Sequence, residues 1–388
     1  MITRRRFLGG AAATATALQA SAARADISGI PSTTVTIGVA GPLTGEDHQL
    51  GEQLANGVRQ AVAEANQIHG TFDVLFDTRT FDDQNLLAQA TVTSQLVIDD
   101  GTVDALVGHL SGRVTEGALR NYVEAHLAVI VPTSGYDRLT EYGYGGVLRL
   151  LTKDSTEGNL GAKYCEDWFK PKSVAVLYQD GDYGFDVANG FSMRLGADKI
   201  TYTPIKISWE KPDFVAAAQQ TMAAKPDLVY LAGTVGDMGP VLDELADVKY
   251  DGALAASQGF FAQATLDKYA TSAEGLVASS SIPPFQFAPA DTQLIEDYQQ
   301  AYGPLTSIAA FGYAGAQIVI DAVRRTGLVE RAAIWQTLQQ FGSYDTIIGT
   351  LSFLTTGDQM NPNVYFYEVK NGKWVYQRAA HAAGFLVK

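Results

Sequence analysis

The sequence predicts an α/β protein of two doubly wound lobes, each a mostly parallel sheet covered by helices on both faces. Short β-branched runs alternate with stretches of helical spacing along the chain, in two successive series that end near residues 153 and 281. Length agrees, since 388 residues suit about two domains at roughly 100 to 200 residues each.

The first strand is Thr34-Val35-Thr36-Ile37-Gly38-Val39-Ala40, which stops at Gly41-Pro42. Leu54, Val58, Ala61, Val62, Ala65 and Ile68 then recur at helical spacing up to Gly70. A strand at 74–80, a helix at 84–98, a strand at 105–107, a helix at 115–125 and a strand at 128–131 continue the series. After an extended stretch at 148–151, a helix opens around Ser155-Thr156-Glu157, followed by a strand at 174–178 and a helix at 186–195. The strand at 205–207, helix at 213–224, strand at 228–231, helix at 238–245 and strand at 253–256 complete the second series. Beyond Pro283-Pro284 come helices at 291–302 and 311–325 and a β-rich end that includes Val364-Tyr365-Phe366-Tyr367. This last third is too short to stand alone, so it is expected to return and complete one or both lobes.

Composition removes several function classes. With 46% hydrophobic and 18% charged residues the chain is globular, and its single cysteine, Cys165, leaves no disulfide framework. Cys165 sits in a helical stretch and reads as a buried, inert thiol. A net charge of −14, with no basic run beyond Arg4-Arg5-Arg6, argues against phosphate-backbone binding, so no nucleic-acid partner is expected. Those arginines, the weakly apolar stretch 9–22 and Ala23-Arg24-Ala25 form a signal peptide of twin-arginine type over residues 1–25. The mature protein is therefore expected in a bacterial periplasm, delivered by the export machinery for folded proteins, without a lipid anchor because no cysteine is near the cleavage site. Its removal takes the net charge to −18, a value that suits a freely diffusing monomer.

Searches for chemistry return little. Gly41-Pro42-Leu43-Thr44-Gly45 lacks both glycine-rich nucleotide patterns, and Gly108-His109-Leu110-Ser111-Gly112 puts its serine fourth rather than central for a nucleophile elbow. The five histidines contain no H-x-x-x-H pair, and the acidic pairs Asp82-Asp83 and Asp99-Asp100 read as solvated surface or helix capping. No catalytic residue, metal or cofactor is assigned. In sheets of this kind the ligand crevice lies beyond the carboxyl ends of the strands. Here that means loops 41–50, 108–113 and 132–136 in the first lobe and 179–185, 233–237 and 257–261 in the second. They carry the rings of Tyr136, Tyr183, Phe260 and Phe261 and the hydroxyls of Ser111, Thr133, Ser134 and Thr234.

From about Thr33 almost to the C-terminus the chain resembles the periplasmic solute-binding proteins of branched-chain amino acid and amide ABC transporters. The resemblance rests on Ile37-Gly38-Val39-Ala40-Gly41-Pro42-Leu43-Thr44-Gly45, Asn56-Gly57, Val107-Gly108-His109-Leu110-Ser111 and Pro132-Thr133-Ser134 with Leu139-Thr140. It continues through Tyr178-Gln179-Asp180-Gly181-Asp182-Tyr183-Gly184 and Ile348-Gly349-Thr350-Leu351-Ser352-Phe353 with Gly357-Asp358. It implies the type I periplasmic binding fold: lobe 1 from 32–153 and 282–361, lobe 2 from 154–281 and 362–388, and a three-stranded hinge. A small solute closes the hinge, and the permease subunits of the transporter recognise the closed form.

As the resemblance has it, Ser111-Gly112 and Ser134-Gly135 grip a carboxylate, Tyr183 covers the ligand, and an acid of the second lobe pairs with its ammonium. Three positions depart from the pattern. Gly112 and Gly135 stand where hydroxyl residues are usual, and Gln258 where the acid is usual. The candidate ligand-binding set is Leu50, Leu110, Ser111, Gly112, Arg113, Ser134, Gly135, Tyr136, Tyr183, Thr234, Asp237 and Gln258. Without the acid, the ligand is either an amide or carboxylate lacking an α-ammonium, with Arg113 forking onto its carboxylate, or an apolar amino acid whose ammonium meets Asp237 or Asp182. A sensor that docks on a membrane receptor and an exported enzyme are the alternative functions.

Overall fold

The structure, a computed structural model, describes residues 33–68, 74–281, 292–340, 342–381 and 386–387. The expected signal peptide and Pro283-Pro284 lie outside the described residues.

In the first lobe β1 (Thr33–Gly41), α1 (His48–Gln67), β2 (Val74–Asp82), α2 (Leu87–Asp99), β3 (Val103–Gly108), α3 (Gly112–Glu124), β4 (Ala128–Val131), α4 (Arg138–Glu141) and β5 (Val147–Arg149) alternate. The strands form one parallel sheet in the order β2-β1-β3-β4-β5. Strand β1, flanked by β2 and β3, is buried on both faces from Val35 onward, which is why its run is apolar but for Thr36 rather than alternating. Leu54, Val58 and Ala61 of α1 cover one face, and Leu106, Val129, Val114 and Leu119 pack on the other.

The second lobe opens with α5 (Asp154–Trp168) and runs through β6 (Ser173–Gln179), α6 (Asp182–Ala197), β7 (Thr201–Ile207), α7 (Phe214–Ala224), β8 (Leu228–Ala232), α8 (Val235–Met238), α9 (Pro240–Asp247), β9 (Ala253–Ala256), α10 (Gln263–Tyr269) and β10 (Val277–Ser280). The single helix expected at 238–245 is two, because Pro240 lacks the N–H that would continue the first and instead starts the second. The helix expected from Gln84 begins at Leu87, since Gln84 and Asn85 hold φ of 53° and 54° and donate their N–H groups back to Asp82 and Asp83.

Next come α11 (Thr292–Tyr302), α12 (Ser307–Thr326), α13 (Arg331–Gln340) and the hairpin β11 (Ser343–Thr346) and β12 (Gly349–Ser352), all ahead of β13 (Asn363–Lys370), β14 (Lys373–His381) and β15 (Leu386–Val387). Helix α12 lies against α1, where Thr306 Oγ1 meets Gln53 Oε1 at 2.8 Å and Arg324 donates to the carbonyl of Ala65 at 2.6 Å. Its Phe311, Ile318 and Val319 share a core with Ile37, Leu54 and Ile130. Strands β13 to β15 extend the second sheet, whose order is β15-β14-β13-β10-β9-β8-β6-β7, parallel from β7 to β10 and antiparallel beyond.

Two crossovers between the lobes are described, after β5 and before β13, and they touch where Gln359 Nε2 donates to the carbonyl of Leu150. The buried Arg149 joins them to the first lobe by pairing with Asp358 and donating to the carbonyls of Gly135 at 2.7 Å and Tyr136 at 2.6 Å. No single helix among the described residues is long and apolar enough to cross a membrane; α11 and α12 pass that test only as a pair bent by 116°.

Candidate functional site

The carboxyl ends of both sheets face one cleft of about 510 Å³. Its lining follows the strands in turn: Asn85 and Leu87 after β2, Leu110 to Val114 after β3, Thr133 to Tyr136 after β4, Leu151 and Asp154 after β5. Besides Asp154, which opens α5, the second lobe contributes Asp182 and Tyr183 after β6, Trp209 after β7 and Gln258 after β9.

A buried relay supports the first-lobe wall. His109 Nδ1 lies 2.5 Å from Asp83 Oδ2 and its Nε2 lies 2.9 Å from the Tyr122 hydroxyl, with all three side chains shut off from solvent. Asp83 also accepts the N–H of Asn85 at 2.8 Å, so one carboxylate fixes the loop after β2 to the loop after β3. The expectation that Asp82-Asp83 is solvated surface or a helix cap is therefore corrected. Asp82 accepts the N–H of Leu43 at 2.8 Å as well as the Thr44 N–H and Gln84 N–H, and its neighbour is a core residue.

Ser111 precedes α3 in extended conformation and makes no side-chain cap, while Thr115 turns back to it through both its N–H and its hydroxyl. The N–H groups of residues 112–114 precede the first intrahelical bond and stand at the cleft with the positive end of the helix dipole, a setting that favours an anion. The Thr133 hydroxyl donates to the carbonyl of Leu110 at 2.7 Å, and Ser134 Oγ accepts the N–H of Tyr136 at 3.2 Å.

The two glycines that depart from the hydroxyl pattern have a steric reason. A Cβ on Gly112 would lie 2.4 Å from Tyr136 Cβ, and one on Gly135 would lie 2.0 Å from Asp154 Oδ1 and 2.6 Å from the carbonyl of Thr152. Asp154 thus occupies the space that a side chain at 135 would fill. This carboxylate is 3% exposed, lines the cleft, and has no hydrogen-bond partner on Oδ1. Burial first, then the neighbouring acids Glu157 and Asp137, push its carboxyl well above the usual carboxylate range.

Glu157, one turn on, organises the second-lobe wall. It accepts the N–H of Gln258 at 2.7 Å, the Ser279 hydroxyl at 2.6 Å and the Tyr183 hydroxyl at 3.4 Å, and Tyr183 in turn accepts the N–H of Gly259 at 3.1 Å. Burial raises the Glu157 carboxyl to about 7 against these hydrogen bonds. Ser281 Oγ meets Gln258 Oε1 at 2.9 Å, which commits the carbonyl end of that amide. Across the cleft Arg113 Nε donates to Asp182 Oδ2.

Nine of the twelve candidate residues therefore line one cleft, together with Asp182. Leu50, Thr234 and Asp237 do not. Leu50 is 37% exposed on α1, and Thr234 and Asp237 cap α8 with each other, the Thr234 hydroxyl lying 2.6 Å from Asp237 Oδ2. Phe260 is buried in the second core, and Phe261 stacks on Tyr367 with centroids 4.2 Å apart. Sequence reasoning missed Asp154, Trp209, Asn85 and Leu87. The clue to Asp154 was its position, an acid at the first step from one lobe to the other. Cys165 lies in the second-lobe core, its thiol pushed up by burial, and no cluster of His, Cys, Asp and Glu suited to a metal occurs among the described residues.

Residues 34–373 match the family model described as "Periplasmic binding protein". The Leu/Ile/Val-binding protein homolog 2 of Brucella abortus (strain 2308) is 25% identical over 348 residues, 88% of this chain and 93% of that one. Among solved structures, the leucine binding protein LivK of Thermotoga maritima superposes with a TM-score of 0.78 at 20% identity, over 90% of this chain and all of that one. A solute binding protein of an ABC transporter from R. palustris, in complex with benzoate, gives 0.74 at 19% identity over 91% of this chain and 97% of that one. With two facing sheets, a cleft at their carboxyl ends and a match that spans nearly the whole described chain, the protein belongs to the periplasmic binding protein family.

Proposed function

We propose that the chain is the solute-binding component of an ABC uptake transporter and captures a small carboxylate between lobes 32–153 with 282–361 and 154–281 with 362–388. The closed form is what the permease subunits recognise, and no turnover accompanies binding. The protein works as a monomer in the periplasm, after export by the machinery for folded proteins and loss of residues 1–25.

The carboxylate of the solute sits at the Ser111 and Ser134 hydroxyls and the N–H groups that open α3. One observation carries the rest of the reading: Asp154, a buried cleft carboxylate with an orphan oxygen, is short of donors. A ligand ammonium supplies the missing positive charge, so the solute is an apolar amino acid, and Asp154 takes the role that neither Asp237 nor the Arg113-bound Asp182 fills. Leu110, Val114, Leu151, Tyr136 and Trp209 offer its side chain an apolar wall. The relative named for leucine, isoleucine and valine supports this reading.

A second reading is favoured by the raised Asp154 carboxyl and the rings of Tyr136, Tyr183 and Trp209. A protonated Asp154 donates to an aromatic carboxylate, the ligand class of the R. palustris relative. Thermal denaturation separates the two, because a ligand bound only by the native state raises the melting temperature by mass action. L-leucine, L-isoleucine or L-valine is expected to raise it at micromolar concentration. A rise with benzoate and none with the amino acids selects the second reading, and no rise with any of them contradicts both.

A further inference from the structure

Charge in the cleft is distributed unevenly between the lobes. Among the described residues that line it, Arg113 is the single cation, in the first turn of α3, and the acids are Asp154 and Asp182. Arg113 does not face the cleft as an unengaged charge. Its Nε donates to Asp182, the first residue of α6, so this ion pair crosses from one lobe to the other. With side chains 64% and 35% exposed, the pair stands where bulk water still reaches it, unlike the buried Asp154.

Without Asp182, the same place would combine a guanidinium fork with the N-termini of α3 and α6, three features that all favour a carboxylate. With Asp182 present, an incoming second carboxylate must displace it from the fork or lie beside a like charge. We propose that Asp182 is a specificity-determining residue, which by holding Arg113 across the cleft engages the single cation among the described lining residues and rejects solutes that carry a second acidic group. Discrimination by a repulsive element of this kind penalises a second carboxylate and spares a solute whose single carboxylate is already seated on the Ser111 and Ser134 hydroxyls and the N–H groups that open α3. The pair also joins the lobes, so it favours closure to the modest extent expected of an exposed contact. The inference rests on the reading that the solute occupies this cleft.

The test uses the chain from residue 26 onward, as wild type, Asp182→Asn, Asp182→Ser and the double variant Arg113→Met with Asp182→Asn, titrated calorimetrically with L-leucine and L-glutamate. Both single variants are expected to bind L-glutamate at least about tenfold more tightly than wild type, and to bind L-leucine a few-fold more weakly through loss of the interlobe contact. The double variant is expected to lose the glutamate gain, since the freed guanidinium is its source. Single variants that unfold like wild type yet show no gain for L-glutamate overturn the proposal, as does a gain that survives removal of Arg113. The amino-acid reading fails separately: wild type silent toward L-leucine contradicts it, whatever the variants do with L-glutamate.

Discussion

If Asp154 takes the ligand ammonium as proposed, it is the residue on which binding and stability pull in opposite directions. A carboxyl whose folded-state value is raised binds its proton more tightly in the native than in the unfolded chain. Its contribution to stability is complete below the ordinary carboxylate value near 3.8 and is lost as pH rises through the raised folded-state value. Above the ordinary carboxylate value the acid is a burden on the empty protein, because the unfolded chain releases the proton that the folded chain retains. Asp154→Asn is therefore expected to raise the melting temperature of the ligand-free protein at pH 7 while weakening amino-acid binding, an exchange that a purely structural acid would not show. Glu157 follows the same sign over a stated window, and Glu157→Gln should flatten the decline in stability between about pH 4.5 and 7, as followed by urea denaturation across that range. Gly135→Ser, which introduces the hydroxyl that the resemblance implies at this position, is expected to cost about 1–3 kcal/mol in the same assay, because its Cβ meets Asp154 and the Thr152 carbonyl. Legibility at this scale was uneven. Ser111, Arg113, Ser134 and Tyr183 announce themselves as hydroxyls, a cation and a ring on loops at strand ends. Asp154 looks like any acid in a first helical turn, and only the fold sets it against Gly135. Asp83 looked like surface because its partner, His109, is 26 residues away.

At the scale of elements, alternating apolar patterns located the strands and helices of the two main series, with differences at their ends, whereas α10, β10, α13 and the β11–β12 hairpin were not read from the sequence. Burial on both faces makes β4 a continuous apolar run, and β1 one broken only by Thr36, so that neither needs a partner to be recognised. The entry to α2 was missed because two non-glycine residues in left-handed conformation are held there by side chains of the preceding strand end. What no local pattern discloses is how the last third is stitched to the rest. Arg149, with no exposed surface, reaches Asp358 209 residues away while also holding the carbonyls of the Gly135 loop. Asp358→Ala leaves that guanidinium buried without its counter-charge and is expected to destabilise by about 3 kcal/mol in chemical denaturation. Because the same arginine positions the loop after β4, ligand affinity should fall as well, measured on the fraction still folded.

For the whole molecule, the function follows from placing one half of a small site on each of two sheets. A ligand that touches both lobes shifts the hinge toward the closed form by its differential affinity for that form, and the radius of gyration in X-ray scattering should fall when it is added. The number of lobes was legible from the two series of alternation, and the cleft's location from the rule for parallel sheets. The ligand was not, because position 258, where the resemblance implies an acid, holds Gln258, and the buried acid at the cleft, Asp154, belongs to the start of the crossover. The most direct measurement is calorimetric comparison of L-leucine with 4-methylpentanoate, the same molecule without its ammonium, on wild type and Asp154→Asn. The account predicts that wild type prefers leucine by about a hundredfold, or about 3 kcal/mol, and that the preference collapses in the variant. Equal affinity for the two in wild type, or a preference that survives in Asp154→Asn, would contradict it.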